Sequence, residues 1–145
     1  MNPLSIFLPV SALVFLTFLV LVLVPIRRFI AGSTGQVRMD DFRYGESANV
    51  PAPVSIPNRA YMNLLEAPVL FYLACLAYFV TDRVDNSVLT LAWSYVGLRI
   101  AHSLVLLTYN RVLHRLSLFA VSTVVLVMLW THFLRAIWPS LQQMA

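Results

Sequence analysis

An all-α integral membrane protein, folded as an antiparallel four-helix bundle, is the architecture this sequence predicts. Composition and the arrangement of the apolar runs predict it. Of 145 residues, 60% are hydrophobic and only 11% charged, and the mean hydropathy is +0.80. Soluble domains carry about 25% charged and roughly 45–50% apolar residues, so this chain is too apolar for water. The apolar residues fall into four runs, each near the ~20 residues that cross a bilayer. Short polar connections make successive helices antiparallel. A soluble cytosolic domain, a disordered chain and a nucleic-acid binder with a wet basic surface are excluded.

Each run has its own boundary signals. The first, 3–26, carries no charge and is stopped by Arg27 and Arg28. It has neither the basic start nor the small-residue cleavage site of a signal peptide, so it reads as a retained helix. The second run covers 58–80 and ends in a polar turn holding Asp82, Arg83 and Asp85. The third covers 87–109. The fourth, 116–134, follows the basic stretch Asn110 to Arg115. Trp93, Trp130 and Trp138 fall near span edges, where indoles favour the headgroup region. Between the first two runs, 27–57 is the one long polar segment. Pro51, Pro53 and Pro57 favour extended backbone and predict a loop over 49–57. No repeat or second domain is visible, so the whole chain, 1–145, reads as one domain.

Every basic residue is an arginine, and their placement predicts orientation. Arg27, Arg28, Arg38, Arg43, Arg59, Arg111 and Arg115 fall on the first and third connections, whereas the opposite side holds Arg83 and Arg135. The positive-inside rule then puts 27–57 and 110–115 in the cytoplasm and both termini outside. The compact chain points to a bacterial inner membrane. A single cysteine, Cys75, excludes an intrachain disulfide and any CxxC site. Its apolar neighbours Leu73, Ala74 and Leu76 keep it a thiol. Three scattered histidines do not make a metal cage and leave room for no more than a lone haem ligand.

Ionisable residues inside the spans carry the chemistry. Glu66 lies seven residues past Arg59, about 10 Å further into the bilayer at 1.5 Å per residue. Arg99 lies ten residues before Tyr109, about 15 Å deep by the same rise. Either charge alone costs roughly 2.5–3.5 kcal/mol in lipid, so a Glu66–Arg99 ion pair facing the bundle interior or a subunit seam is expected. Arg59, Asn63 and Glu66 share one stripe at i, i+4 and i+7; Arg99 and His102 are at i and i+3; Arg111 and Arg115 are at i and i+4. These residues predict a cationic pocket open to the cytoplasm, suited to a zwitterion with several carboxylates. A thiol on that ligand becomes more acidic beside an arginine. The plainer roles are a structural ion pair for Glu66 and Arg99, headgroup snorkelling for Arg111 and Arg115, and interhelical polar glue for Asn63.

Three segments resemble a known family. STGQVR over 33–38 with RAYMNLLEAPVLF over 59–71, and RIAHSLVLLTYNRVLHR over 99–115, are similar to signatures of the MAPEG family, membrane-associated proteins of eicosanoid and glutathione metabolism. The likeness is to its microsomal prostaglandin E synthase and microsomal glutathione transferase branch. The resemblance implies a homotrimer of four-helix protomers, with glutathione as co-substrate between protomers. It implies Arg115 as the catalytic residue that stabilises the glutathione thiolate. Arg38, Arg59, Asn63, Glu66, His102 and Arg111 match the glutathione site, with Glu66 and Arg99 as a supporting ion pair. Tyr109 stands in from the next turn for a family tyrosine at the position of Leu106. Met62, Leu116 and Phe119 replace an arginine, a serine and a tyrosine of that branch. The implied activity is conjugation of glutathione to a lipophilic electrophile or reduction of a lipid hydroperoxide, without a metal. The lipophilic substrate enters from the bilayer. The alternative is a non-catalytic member serving as a lipid-binding or accessory subunit of a larger membrane complex; a small carrier using Glu66 and His102 lacks the broken helices or inverted repeat of transporters.

Overall fold

The computed structural model describes residues 2–142. Four helices follow one another: α1 (Phe7–Ser33), α2 (Ala52–Val80), α3 (Asn86–Leu107) and α4 (Val112–Gln142). Each is long and apolar enough to cross a membrane. The shortest span has 22 residues, about 33 Å of helix against the ~30 Å of a hydrocarbon core. The chain is therefore an integral membrane protein built as a four-helix bundle. α1 packs chiefly on α2 and α3 on α4, with α2 and α3 between the outer pair. A tight helical turn, Pro3–Ile6, precedes α1, and the Asn2 side chain accepts the Leu4 N–H at 3.0 Å to cap it.

The core follows helical periodicity. Leu13 and Val20 of α1 lie seven residues apart. Phe71, Ala74 and Tyr78 supply α2; Val88, Ala92 and Tyr95 supply α3; Leu126, Leu129 and Phe133 supply α4. These are one-face spacings of three, four and seven. The outward faces remain apolar, with Phe15, Phe18, Val69 and Val127 all exposed, as a lipid-facing surface requires. Away from the arginine-rich end, the Tyr78 hydroxyl ties α2 to α4, donating to the Leu129 carbonyl at 2.9 Å and meeting His132 Nδ1 at 3.0 Å.

Helix ends depart from the apolar runs. α1 passes the arginine pair and stops at Ser33. Gly35, at φ 71°, ends it in the left-handed conformation that glycine adopts without strain. The Gln36 N–H then reaches back to the Ala31 carbonyl at 2.9 Å, closing a Schellman motif. The loop expected over 49–57 is corrected, because α2 begins at Ala52. Pro53 costs nothing there, since first-turn N–H groups have no helical partner. Val54 is 4% exposed in a small cluster with Ala31 and Val37, against which Phe42 and Val50 pack. Arg28 closes the neck of this connection, donating to Glu46 Oε1 at 3.0 Å and lying 4.6 Å over the Phe42 ring. α3 ends at Leu107 rather than 109, and α4 starts at Val112 and continues past Leu134. Apolarity marks the hydrocarbon slab; helices continue through the headgroup region.

Candidate functional site

A cleft of about 410 Å³ opens at the arginine-rich end, within the roughly 300–1,000 Å³ of ligand pockets. Three helices build it. The start of α2 supplies Asn58, Arg59, Met62 and Asn63; the end of α3 supplies His102; the start of α4 supplies Val112, Arg115, Leu116 and Phe119. Arg59 and Asn63 are one turn apart and point the same way. His102 is 3% exposed and forms part of the inner wall, its ring centroid 6.1 Å from that of Phe119. Arg115 Nη1 donates to the Asn110 side-chain oxygen at 3.0 Å. Among the described residues no carboxylate lines the cleft, so its field is cationic.

Arg99 lies beneath this wall and is fully buried, at 0% exposure. Its Nη2 donates to the backbone carbonyl of Asn63, and its guanidinium carbon is 5.9 Å from the Phe119 ring centroid. Nε and Nη1 have no hydrogen-bond partner among the described residues. Within one protomer the expected Glu66–Arg99 ion pair is not made: the two side chains do not come within 4 Å, and Glu66 is exposed on the outer face of α2. Spacing along two helices fixed their depth but not the direction in which each projects. Arg99 instead braces the α2 backbone where Asn63 enters the cleft.

Of the residues expected at one site, Arg59, Asn63, His102 and Arg115 come together. Four others do not. Arg38 rims a separate cavity of about 780 Å³ between the end of α1 and the turn Met39–Phe42, with Arg28, Phe29 and Gly32. Tyr109 turns outward, 57% exposed, its hydroxyl 3.1 Å from His114 Nδ1. Arg111 and Glu66 are exposed and line no part of the cleft. Three contributors escaped the sequence reading, Asn58 and Val112 in the wall and Asn110 against Arg115. Asn110 carried a signal: an asparagine three residues past the end of α3 suits the left-handed backbone of a tight turn.

The chain matches the family model for the MAPEG family over residues 6–135. No curated protein matches it, and no solved structure does. The match takes in all three helix ends that build the cleft, all of α1 and most of α4, and on that extent the chain belongs to the MAPEG family.

Proposed function

We infer that this chain is a membrane-bound glutathione-dependent enzyme that conjugates glutathione to lipophilic electrophiles or reduces lipid hydroperoxides. One observation carries the reading: Arg59, Asn63, His102 and Arg115, drawn from three helices, line a single cleft that holds no carboxylate among the described residues. Glutathione bears two carboxylates, and guanidinium forks bind carboxylates bidentately. The Asn58 and Asn63 amides suit its peptide groups. Arg115 serves the thiol. A neighbouring guanidinium favours the thiolate, and the same charge stabilises the anion as it attacks. Met62, Leu116 and Phe119 give the mouth exposed apolar surface, a lateral entry for a co-substrate dissolved in the bilayer.

A homotrimer of the family type gives Arg38, Glu66, Tyr109 and Arg111 a route to the site across a protomer seam. Exposed Glu66 supports that assembly, since an intramembrane carboxylate facing lipid costs roughly 2.5–3.5 kcal/mol. The arginine-rich end faces the cytoplasm by the positive-inside rule, in a bacterial inner membrane.

Thermal unfolding of the purified protein with and without glutathione tests the reading. A ligand that binds only the folded state at 100 times its Kd adds about 2.7 kcal/mol, and Arg59→Ala should abolish the shift. No shift in wild type would overturn the proposal. It would favour a non-catalytic, lipid-binding or accessory member instead, a reading that the apolar side chains of Met62, Leu116 and Phe119 support.

A further inference from the structure

We propose that Asn110 is a positioning residue that aims Arg115 into the cleft. Its catalytic consequence rests on the glutathione reading above; its mechanical part does not. The turn between α3 and α4 is four residues, 108–111, and two side-chain links span it, each to a residue five further on. Outside, Tyr109 meets His114; inside, Asn110 Oδ1 accepts from Arg115 Nη1 at 3.0 Å. Asn110 sits at φ 46°, and its N–H donates to the Val105 carbonyl at 2.8 Å. Its backbone is thus fixed from the end of α3 while its side chain holds a cation on α4. Asparagine tolerates the left-handed conformation better than most residues, and its amide oxygen accepts without a charge.

Neutrality is the point of the choice. Asn58, Arg59 and Asn63 on α2, His102 on α3 and Arg111 in the turn are the other charged or polar groups around Arg115 at this end. None of these described residues is a carboxylate, so the guanidinium keeps its full charge for an anion in the cleft. Without the tether, Arg115 is a long side chain with several rotamers at an open mouth, and each turnover must order it again. An aspartate would hold it equally well but cancel the charge.

Asn110→Gly keeps the backbone and removes the tether. Asn110→Asp keeps the tether and adds a charge. Using a chlorodinitrobenzene as electrophile, Asn110→Gly should lower kcat by about tenfold to a hundredfold with little change in the KM for glutathione. Asn110→Asp should move the acid limb of the pH–kcat/KM profile upward by about one unit or more. Unchanged kcat in the first and an unchanged pH profile in the second overturn the proposal. An activity-free readout keeps it separate from the glutathione reading: phenylglyoxal modification of Arg115, located by mass spectrometry in the intact protein. Faster modification in Asn110→Gly than in wild type supports the tether even if wild type shows no turnover, which would defeat only the glutathione reading. Equal rates defeat the tether whatever the activity.

Discussion

Phe71 tests the packing that holds the cleft in place. It is fully buried at 0% exposure and stacks on Tyr95 of α3, with centroids 4.7 Å apart and planes at 22°. Tyr95 lies one turn from Arg99, so this contact fixes the α2–α3 seam beneath the inner wall. In a water-soluble core, Phe→Ala costs roughly 3–5 kcal/mol, part of it transfer from water. In a bilayer that part nearly vanishes, because lipid tails are as apolar as the core. The cavity remains. Phe71→Ala removes about 100 Å³ of side chain, and at about 24 cal/mol per Å³ an unrelaxed hole costs about 2.4 kcal/mol. Loss of the stacked pair adds roughly 0.5–1.5 kcal/mol. The expected destabilisation is therefore about 3–4 kcal/mol by these two contributions. It would be read as reversible unfolding in mixed micelles with a rising fraction of denaturing detergent. A cost below about 1 kcal/mol, too small for an unfilled cavity, would refute the reasoning. Phe15→Ala is the comparison, since Phe15 is 63% exposed and should cost little. An equal loss there would mean that another subunit covers that face.

Arg115→Ala should lower kcat for glutathione conjugation by about 10²–10³, the scale of losing one transition-state charge partner; full turnover in the variant would remove Arg115 from its assigned role. Leu116→Ser restores a hydroxyl at the cleft mouth and should lower the KM for glutathione about fivefold, the value of one added hydrogen bond, and an unchanged KM would place the peptide elsewhere. Asp41 makes the pH prediction. It accepts from the Arg38 backbone N–H and the Ser47 hydroxyl, each at 2.8 Å, and these bonds hold its carboxyl below its ordinary value of 3.8. A depressed pKa gives stability that is present above the unfolded value and lost as pH falls through the folded one. The turn over 39–42 should therefore stay closed down to pH 3.8 and open only below it. Hydrogen exchange at the Ser47 amide, which donates to the Asp41 carbonyl, reports the opening, and exposure beginning above that pH would contradict it.

Much of this was legible before any coordinates. An uncharged run of apolar residues has few fates other than a membrane span, and the four runs became four helices of the required length. Three-, four- and seven-residue steps placed Arg59 with Asn63, and the shared arginine-rich end brought in His102 and Arg115. What periodicity withholds is azimuth between helices. Glu66 and Arg99 lie on neighbouring helices, yet one faces outward and the other is sealed inside, and no spacing within either helix says so. The proline-rich entry to α2 misled for a different reason. Proline disfavours helix interiors, but Pro53 lies in α2's first turn, whose N–H groups lack helical acceptors anyway; Pro57 sits within the helix, and the apolar partners of Val54 are distant in sequence.

Those partners have a dynamic consequence. Ala31, Val37 and Val54 come from the last turn of α1, the connection and the first turn of α2, and Arg28 binds Glu46 across 18 positions of chain. The two helix ends therefore share one miniature core and should melt as a single cooperative unit, neither fraying alone. A change at Val54 should release amide exchange around Ala31 and Val37 as readily as around Ser55. The segment between α1 and α2 behaves as a hasp rather than a hinge, and a protease should find it closed until both helix ends have let go together.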